Sequence, residues 1–500
     1  MESYGWLSVV PPVLALILAF TTRHVVLALG VAVLSGMLIL TGGNPVDTAL
    51  MFLKDGPFAQ LSSASQSQII IVITVISGFI YLVETSGGMA AFSRVATKYV
   101  SSPLKAQLST WASGIAIFFT DSGNSLILGP VFSPIYDKLK LSREKLAYII
   151  DSTSSPICVL IPIISWGVYS QGLIEKAYEN MGQKVDGFSV FLEVIPYQIY
   201  PILALLSVPI YAFLRKDWGP MLETEKAAQA RIESEEIKQV QQDENKAISM
   251  KLVLLPLGVL FTCIVTLFAY NYNLHGKING PIIRSTLGTS YLLASVFAIA
   301  YYAWAKVMTA TTAFNNFVAG TQKIMIILMI LLLAWTLGDI CKALGTGPYI
   351  SQIMSDSVPI FLLPVIIFIV GGFISVATGS SWGTFAILIP IVVPVATALG
   401  ADPVIAVGAA LSGGLFGDHT SPISDTTILS SMSTECEHAS HVRTQFPYAI
   451  LTGVATSIGF MIAELTRNPY TVFIAVAIQV TLIVIMIRKH NQTIVQPIQA

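Results

Sequence analysis

Charged side chains are scarce in this 500-residue sequence: Asp, Glu, Lys and Arg together make up 11% of its positions. A soluble domain carries about 25% charged residues, so the composition excludes an ordinary globular enzyme. The formal net charge is −1 and there is no basic stripe, which excludes a nucleic-acid partner. The four cysteines have no CxxC spacing, so neither a disulfide framework nor a zinc site is expected.

Apolar residues, by contrast, make up 54% of the sequence and fall in long runs. Runs of this length cross a hydrocarbon core of about 30 Å as helices. The first run has no basic segment before it, which predicts a span rather than a cleaved signal. The apolar segments cover residues 5–21, 25–41, 67–83, 104–138, 145–173, 190–214, 252–270, 286–305, 321–341, 357–399, 403–432, 446–465 and 470–487. The sequence therefore predicts an all-α polytopic membrane protein with about 11 transmembrane helices.

Two of these segments are too long for a single span, and a polar, glycine-containing tip interrupts each of them. The tips are residues 120–124 (Thr-Asp-Ser-Gly-Asn) and 379–384 (Gly-Ser-Ser-Trp-Gly-Thr). Each tip is flanked by apolar arms of about fifteen residues, which predicts a re-entrant hairpin over about 104–138 and about 357–399. Two other long segments, 145–173 and 403–432, contain polar clusters and predict broken helices.

The two halves carry the same features in the same order. Pro130 and Pro134 in the first half have the same spacing as Pro390 and Pro394 in the second half, and a polar Ser/Thr-Ser-Pro-Ile segment follows each pair. Lysines and arginines flank the first hairpin at both ends but are nearly absent around the second, so the hairpins should enter from opposite sides. The sequence predicts two inverted repeats. The expected organisation is a first repeat at 1–216, a polar cytoplasmic linker at 217–251, a second repeat at 252–466, and an extra helix with the C-terminal tail at 467–500.

We expect the linker to be solvated and partly helical; a regulatory or partner-binding arm is the alternative. The four polar clusters lie at predicted membrane depth, where irregular backbone is tolerated only if it lines a wet cavity or is enclosed by protein. Ionisable residues at that depth are costly and mark functional sites.

The predicted ion- or substrate-binding residues are polar side chains of these clusters. They are Asp121, Ser122, Asn124, Asp151, Ser154, Ser155, Ser380, Ser381, Thr384, Asp418, His419, Thr420, Ser424, Asp425 and Thr426. The candidates for Na⁺ binding are Asp121, Asp151, Asp418 and Asp425. For each of them the alternative is a helix cap or a hydrogen-bonded packing residue.

Several other polar residues have open roles. His419 could respond to pH or only donate hydrogen bonds within the broken helix. His438 and His441 lie near acidic residues and a cysteine, but their spacing matches no known metal site, so a solvated cytoplasmic loop is expected. Glu84 and Asp339 lie near span ends and are weaker candidates.

The segment 417–427 (Gly-Asp-His-Thr-Ser-Pro-Ile-Ser-Asp-Thr-Thr) resembles the NhaC-type sodium/proton antiporter family, and the two hairpin tips support the resemblance. The similarity runs from about residue 60 to residue 465. It implies electrochemical Na⁺/H⁺ exchange in a bacterial plasma (inner) membrane, with no cofactor beyond the transported ions. Some members of the family resemble exchangers of organic anions or amino acids coupled to Na⁺ and H⁺.

The leading hypothesis is a secondary transporter that performs Na⁺/H⁺ antiport. The sequence has no G-x-x-x-x-G-K-[ST] motif, so ion gradients would supply the energy. The first alternative is a Na⁺/H⁺-coupled exchanger or carrier of a small organic anion or amino acid; the absence of Lys and Arg from the four clusters favours inorganic ions. An intramembrane enzyme and a passive channel are weaker alternatives. The expected partners are Na⁺, H⁺ and the lipid bilayer, with an organic solute under the first alternative and a homodimer as one assembly to test.

Overall fold

The computed structural model describes residues 4–89, 91, 100–230, 249–276, 279–354 and 359–495, and all regular structure in these ranges is helical. The helices of the first half are α1 (Val10–Thr22), α2 (Val25–Leu40), α3 (Pro45–Asp55), α4 (Pro57–Ser62), α5 (Ala64–Glu84), α6 (Pro103–Ala116), α7 (Asp121–Lys138), α8 (Arg143–Ser152), α9 (Ser155–Cys158), α10 (Ser165–Asn180), α11 (Gly187–Val194), α12 (Ile199–Leu214) and α13 (Gly219–Ala230). Those of the second half are α14 (Lys251–His275), α15 (Gly280–Trp304), α16 (Ala310–Lys323), α17 (Met325–Leu344), α18 (Thr346–Met354), α19 (Leu363–Thr378), α20 (Ser381–Leu399), α21 (Pro403–Thr420), α22 (Asp425–Thr434), α23 (His438–Thr466) and α24 (Thr471–Val495). The predicted all-α class is confirmed.

Nine helices in the described ranges are long and apolar enough to cross a membrane. The count rises to 11 when two bent pairs are each taken as one span. One pair joins α2 to the α3–α4 segment with a bend of 117°, and the other joins the α11 segment to α12 with a bend of 49°. This confirms a multi-pass membrane protein with about the predicted number of spans.

Burial separates lipid-facing helices from interior ones. Only 28% of the apolar window of α14 is buried, and it exposes large side chains such as Val265, as expected of a helix against lipid. In α20, by contrast, 67% of the corresponding apolar window is buried. The predicted functional segments therefore lie inside the bundle.

The two predicted hairpins are pairs of helices in contact, α6 with α7 and α19 with α20. The arms of the first have 14 and 18 residues. Each arm of the second has 19 residues when the 3₁₀ turn before α19 is included, so each is long enough to cross a membrane. Both arms are longer than the expected fifteen residues because the 3₁₀ turn Ile360–Leu362 extends the first arm and tip residues 381–384 form the first turn of the second.

The predicted polar linker contains a docked helix, which differs from the solvated segment we expected. Helix α13 packs against α8 and α23 and buries Met221, Glu225 and Ala228. Residues 231–248 of the linker lie outside the described residues. So do Arg94 and Lys98, two of the basic residues that flank the first hairpin.

Packing between the halves is reciprocal. The second arm of the first hairpin, α7, packs against α22, which follows the break in the second half. The second arm of the other hairpin, α20, packs against α10, which follows the break in the first half. Each hairpin thus contacts the broken helix of the opposite half.

Candidate functional site

In both hairpins a hydroxyl side chain caps the second arm. Thr120 accepts a hydrogen bond from the Gly123 amide at 3.0 Å, and Ser380 accepts one from the Gly383 amide at 3.3 Å. Such a cap satisfies an amide that has no partner within its own helix. Capping explains the hydroxyl residue before each arm, and close packing explains the glycine three positions later, since a Cβ would lie 2.6 Å from Glu84 Oε1 at Gly123 and 2.3 Å from Val25 at Gly383.

Both predicted broken helices are interrupted at their polar clusters. The first is interrupted between α8 and α10, where only the four-residue α9 is helical, and the second between α21 and α22. Buried amide side chains satisfy carbonyls at the breaks. Asn124 Nδ2 donates to the Thr153 carbonyl at 2.8 Å, and Gln445 Nε2 donates to the His419 carbonyl at 2.6 Å. The backbone groups freed at membrane depth therefore have protein partners, as such backbone requires.

The first hairpin tip packs directly onto the first break. Asn124 is fully buried and also donates to the Gly114 carbonyl at 2.9 Å. The hydroxyls of Ser125 and Ser154 lie 3.0 Å apart. A Cβ on Gly114 would lie 2.1 Å from Thr153 Oγ1, so glycine is required for this close approach.

The second hairpin tip packs in a similar way onto the second broken helix. The hydroxyls of Ser375 and Ser381 donate to the Gly414 carbonyl at 2.6 and 3.2 Å, which fixes both arms to α21. Ser421, at the break itself, donates to the Val376 carbonyl at 2.8 Å.

Asp151 joins the two broken helices. Its Oδ2 accepts hydrogen bonds from Thr427 Oγ1 at 3.1 Å and from Gln445 Nε2 at 2.6 Å, both from the second half. The neighbouring Ser152 hydroxyl lies 3.1 Å from His419 Nε2. The structure thus places Asp151 beside the segment that carries Asp418.

Asp418 is also buried and accepts a hydrogen bond from Ser424 at 2.8 Å; the hydroxyls of Ser424 and Thr426 lie 3.2 Å apart. The charges of Asp151 and Asp121 both repel that of Asp418. Asp151 and Asp418 are therefore electrostatically coupled. Together with His419, Gln445 and His441, they are called the central cluster below.

The other two predicted carboxylates are more accessible. Asp425 is exposed, which differs from the burial we expected, and Asp121 is half-buried. Asp121 accepts the backbone amide of Ser122 at 2.7 Å and is repelled by Asp425. The four aspartates thus form a buried pair and a more accessible pair that interact.

Other predicted site residues make local hydrogen bonds. The Thr384 hydroxyl donates to the Ser380 carbonyl at 2.9 Å, and the Thr420 hydroxyl donates to the Phe416 carbonyl at 2.7 Å. Among the described residues, no hydrogen bond joins Ser380 or Thr384 to the central cluster. The second tip is instead held by the Tyr169 hydroxyl, which donates to the Trp382 carbonyl at 2.9 Å.

His441 was missed as a site residue, and the expectation of a solvated loop around it is wrong. It lies on α23, is fully buried, and its Nε2 is 3.7 Å from Asp151 Oδ2. Gln445 is four residues further along the same helix, so both side chains point to one face. This i, i+4 pair is a weak signal in the sequence, because polar residues are ordinary at the start of an apolar run.

Two further contacts refine the sequence predictions. Glu84, a weak candidate, accepts a hydrogen bond from the capping hydroxyl Thr120 and so reaches the first hairpin tip. His419 is hydrogen-bonded through both ring nitrogens, with the Tyr200 hydroxyl 2.8 Å from Nδ1 and the Ser152 hydroxyl 3.1 Å from Nε2. In the described part of the chain, no three His, Cys, Asp or Glu residues converge as a metal site.

Several buried polar atoms around the central cluster have no hydrogen-bond partner among the described residues. They are Asn124 Oδ1, Asp151 Oδ1, Ser155 Oγ, Gln445 Oε1 and both ring nitrogens of His441. An unpaired buried polar group costs about 1–3 kcal/mol. Most of these atoms are oxygen acceptors of the kind that hard cations prefer. The arrangement therefore suits a bound cation or a hydrogen-bond donor.

Interrupted helices, buried carboxylates and membrane-spanning length define a polytopic secondary transporter. The profile of the Na⁺/H⁺ antiporter family matches residues 157–465, more than half of the sequence. The chain belongs to this family. It is accordingly a transporter and not an enzyme.

Three relatives are similar in sequence. An uncharacterised protein of Haemophilus influenzae is 28% identical over 499 residues, covering 97% of this chain and 95% of that protein. The arginine/ornithine antiporter ArcD of Halobacterium salinarum is 32% identical over 157 residues, 31% of this chain and 30% of that one. The malate-2H⁺/Na⁺-lactate antiporter of Bacillus subtilis is 38% identical over 103 residues, 21% of this chain and 22% of that one. The last two similarities thus span less than a third of each relative.

Two solved structures share the fold. One is MtrF of Neisseria gonorrhoeae, from a class of antimetabolite efflux pumps. It matches with a TM-score of 0.61 and 15% sequence identity, and the match covers 84% of this chain and 85% of MtrF. The YdaH transporter of Alcanivorax borkumensis matches with a TM-score of 0.61 at 12% identity, over 85% of this chain and 90% of its own. At these identities the likeness concerns the fold alone.

Proposed function

We propose that the chain is a Na⁺/H⁺ antiporter of the bacterial inner membrane and that both ions bind at the central cluster. The observation that carries the proposal is that two buried carboxylates, Asp151 and Asp418, are brought together by the hydrogen bonds of Ser152 and Gln445 to His419, with no lysine or arginine ion-paired to either carboxylate among the described residues. Two like charges that are buried without a cation are unfavourable. A bound Na⁺ or H⁺ relieves that repulsion.

The exchange follows from competition at these carboxyl groups. A carboxyl oxygen that coordinates Na⁺ has given up its proton, and a protonated carboxyl is a poor ligand. Na⁺ and H⁺ therefore exclude one another, and each crosses while the other is absent. Asp121, Ser122 and Asp425 would form the entry to the site, while Asn124, Ser154 and Ser155 would support its first half and Ser424, Thr426 and Thr420 its second.

Alternating access would come from movement of one hairpin-bearing unit against the rest. The ions drive it only if they bind its two states with different affinity. The reciprocal packing of α7 on α22 and of α10 on α20 supports the proposed inverted repeats, at 1–216 and 252–466, because each break is closed by the opposite half. The homodimer stays a prediction.

The test uses purified protein in vesicles that carry a proton gradient and an internal pH dye. We expect Na⁺ alone to dissipate the gradient. Asp151→Asn and Asp418→Asn should each reduce this response by at least about a hundredfold, because a neutral amide cannot exchange a proton for Na⁺. Asp55→Asn, on the exposed end of α3, is the matched control and should transport normally.

A second candidate function is Na⁺/H⁺-coupled exchange of a small organic anion or amino acid. The activities of the arginine/ornithine and malate/lactate antiporter relatives favour it, and the acceptors of Asp151, Gln445 and Asn124 that are unpaired among the described residues could bind an amino group. The same vesicles separate the two functions. A response that requires arginine, ornithine, malate or lactate, and is absent with Na⁺ or Li⁺ alone, would contradict inorganic antiport.

A further inference from the structure

A cavity of about 490 Å³ lies away from the central cluster, on the side predicted to be cytoplasmic. Its walls come from the start of α6, the connection between α7 and α8, the end of α12, and the docked helix α13. Five cationic side chains line it, and two carboxylates. The cations are Lys140, Lys145, Arg215, Lys216 and Lys226, and the carboxylates are Asp217 and Glu225.

The two carboxylates are already engaged. Asp217 pairs with Lys145 and accepts a hydrogen bond from the Tyr448 hydroxyl at 2.8 Å. Glu225 accepts the backbone amide of Ser142 at 3.0 Å and also its hydroxyl. The side chain of Lys145 is 5% exposed, and Asp217 is its ion-pair partner among the described residues.

The remaining four cations differ from Lys145 because they have no ion-pair partner in the described part of the chain. Lys140, Arg215, Lys216 and Lys226 are exposed and form no ion pair with a described residue. Like charges gathered around one cavity repel each other. An anion bound between them would remove that repulsion.

The surroundings of the cavity indicate what kind of anion fits. Phe213 and Leu214, the last residues of α12 before Arg215, are 65% and 37% exposed. The α11–α12 segment is long and apolar enough to span a membrane, so these two side chains lie where lipid chains end. A ligand with an apolar tail and a phosphate head matches both surfaces, whereas a soluble anion matches only the basic one.

We propose that this cavity binds the headgroup of an anionic phospholipid and thereby holds α13 against α8. The phosphate contacts Arg215, Lys216 and Lys140, and the acyl chains lie along Phe213 and Leu214. Helix α8 runs from the Ser142 cap beneath α13 to Asp151 in the central cluster. The lipid therefore stabilises the helix that positions a proposed transport residue.

The test measures thermal unfolding of the purified full-length protein in detergent. Short-chain phosphatidylglycerol should raise the unfolding temperature in a saturable way. Phosphatidylcholine with the same chains and inorganic phosphate should not. Equal stabilisation by inorganic phosphate would contradict a lipid ligand, and equal stabilisation by phosphatidylcholine would contradict a site for anions.

Paired variants locate the site. Arg215→Gln/Lys216→Gln should raise the phosphatidylglycerol concentration needed for half-maximal stabilisation by at least about tenfold. Lys138→Gln/Lys306→Gln removes two exposed cations that do not line the cavity. This control should leave the phosphatidylglycerol concentration for half-maximal stabilisation unchanged. If the first double variant does not fold, Lys140→Gln and the charge-conserving Lys216→Arg give the same contrast. Unchanged lipid stabilisation of the charge-removing variant would overturn the proposal.

Discussion

At the scale of single residues, the chemistry centres on Asp151. One of its oxygens has two hydrogen-bond donors from the second half, and the other has none among the described residues. His441 lies 3.7 Å away as the nearest group that can carry a positive charge. The oxygen of Asp151 without a donor is therefore available to a cation, and the imidazole of His441 is a second group nearby that can bind a proton.

His441→Gln should move the pH dependence of exchange. An imidazole 3.7 Å from Asp151 can bind and release a proton whereas an amide cannot, so we expect the midpoint of the acid limb of Na⁺-driven exchange to move. The measurement is the initial rate of gradient dissipation against pH in reconstituted vesicles. The other groups near the ring are His419 and Gln445, and both remain.

His275→Gln is the control, since His275 is exposed at the end of α14. A purely structural role for His441 would lower the maximal rate and leave the midpoint of the acid limb in place. That result would contradict a role in proton exchange.

Some residues of the central cluster can be predicted from the sequence and others cannot. Asp151, Asp418 and His419 were identified because a carboxylate or imidazole within an apolar segment is unfavourable without a function. Gln445 and His441 lie near the start of an apolar run, where polar residues are ordinary. Their role depends on packing against Asp151, which local sequence does not encode.

At the scale of elements, close helix contacts hold the breaks in place. Helix α21 approaches α19 so closely that a Cβ on Gly417 would lie 2.3 Å from the Gly372 carbonyl. The Gly372 carbonyl is part of the α19 backbone, so it cannot move away from an added carbon as a flexible side chain could. The polar break after α21 is thus positioned by glycine packing.

Gly417→Ala should therefore destabilise the folded protein by roughly 1–3 kcal/mol, measured as a lower unfolding temperature in detergent. Gly258→Ala, in the middle of α14, is the matched substitution, because no atom lies within 4 Å of the added carbon. It should be neutral or slightly stabilising, since alanine favours helix. Equal effects of the two substitutions would rule out close packing as the cause.

The docking of α13 should depend on pH through Glu225. Burial raises the pKa of this carboxyl, and the charge of Lys145 acts in the opposite direction. The folded protein then holds the proton more tightly than the unfolded chain, so its stabilising contribution is present at low pH and is lost as pH rises through the folded-state pKa.

Unfolding temperatures measured from about pH 5 to about pH 8 test this sign. In the parent protein we expect the unfolding temperature to decline as pH rises. Glu225→Gln keeps the acceptor for Ser142 and cannot ionise, so this decline should be smaller in the variant. Glu223→Gln removes an exposed carboxylate on the same helix that pairs with Arg443, and should retain the decline. If the unfolding temperature declines equally in the parent protein and both variants, titration of groups other than Glu225 causes the decline.

At the scale of the whole molecule, the inverted arrangement has a direct consequence for accessibility. Helices α7 and α20 correspond to one another in the proposed repeats, and both end on exposed residues, Lys138 and Thr397 among them. If the repeats are inverted, these two ends lie on opposite sides of the membrane.

Variants with one accessible cysteine measure this in intact cells, with Cys263 and Cys436 replaced by alanine. A membrane-impermeant maleimide should label Thr397→Cys from outside, and should label Lys138→Cys only after the cells are permeabilised. The buried Cys158 and Cys341 can remain. Labelling of both positions from one side would mean that the repeats are parallel.

The membrane class, the spans, the two polar tips and the two breaks can be read from the amino-acid sequence alone. Each of these depends on residues close together in the chain: apolar length, a hydroxyl cap, or a proline and glycine that interrupt a helix. Such features need no knowledge of distant contacts.

Only the tertiary structure decided which polar groups meet. Asp151 and Gln445 are 294 residues apart, and their hydrogen bond exists because α8 and α23 pack against each other. The same holds for α13, whose polar sequence predicts solvent exposure and whose Glu225 is buried against Ser142. Burial is a property of the assembled helices, because the free energy of a buried polar group depends on the partners that packing supplies.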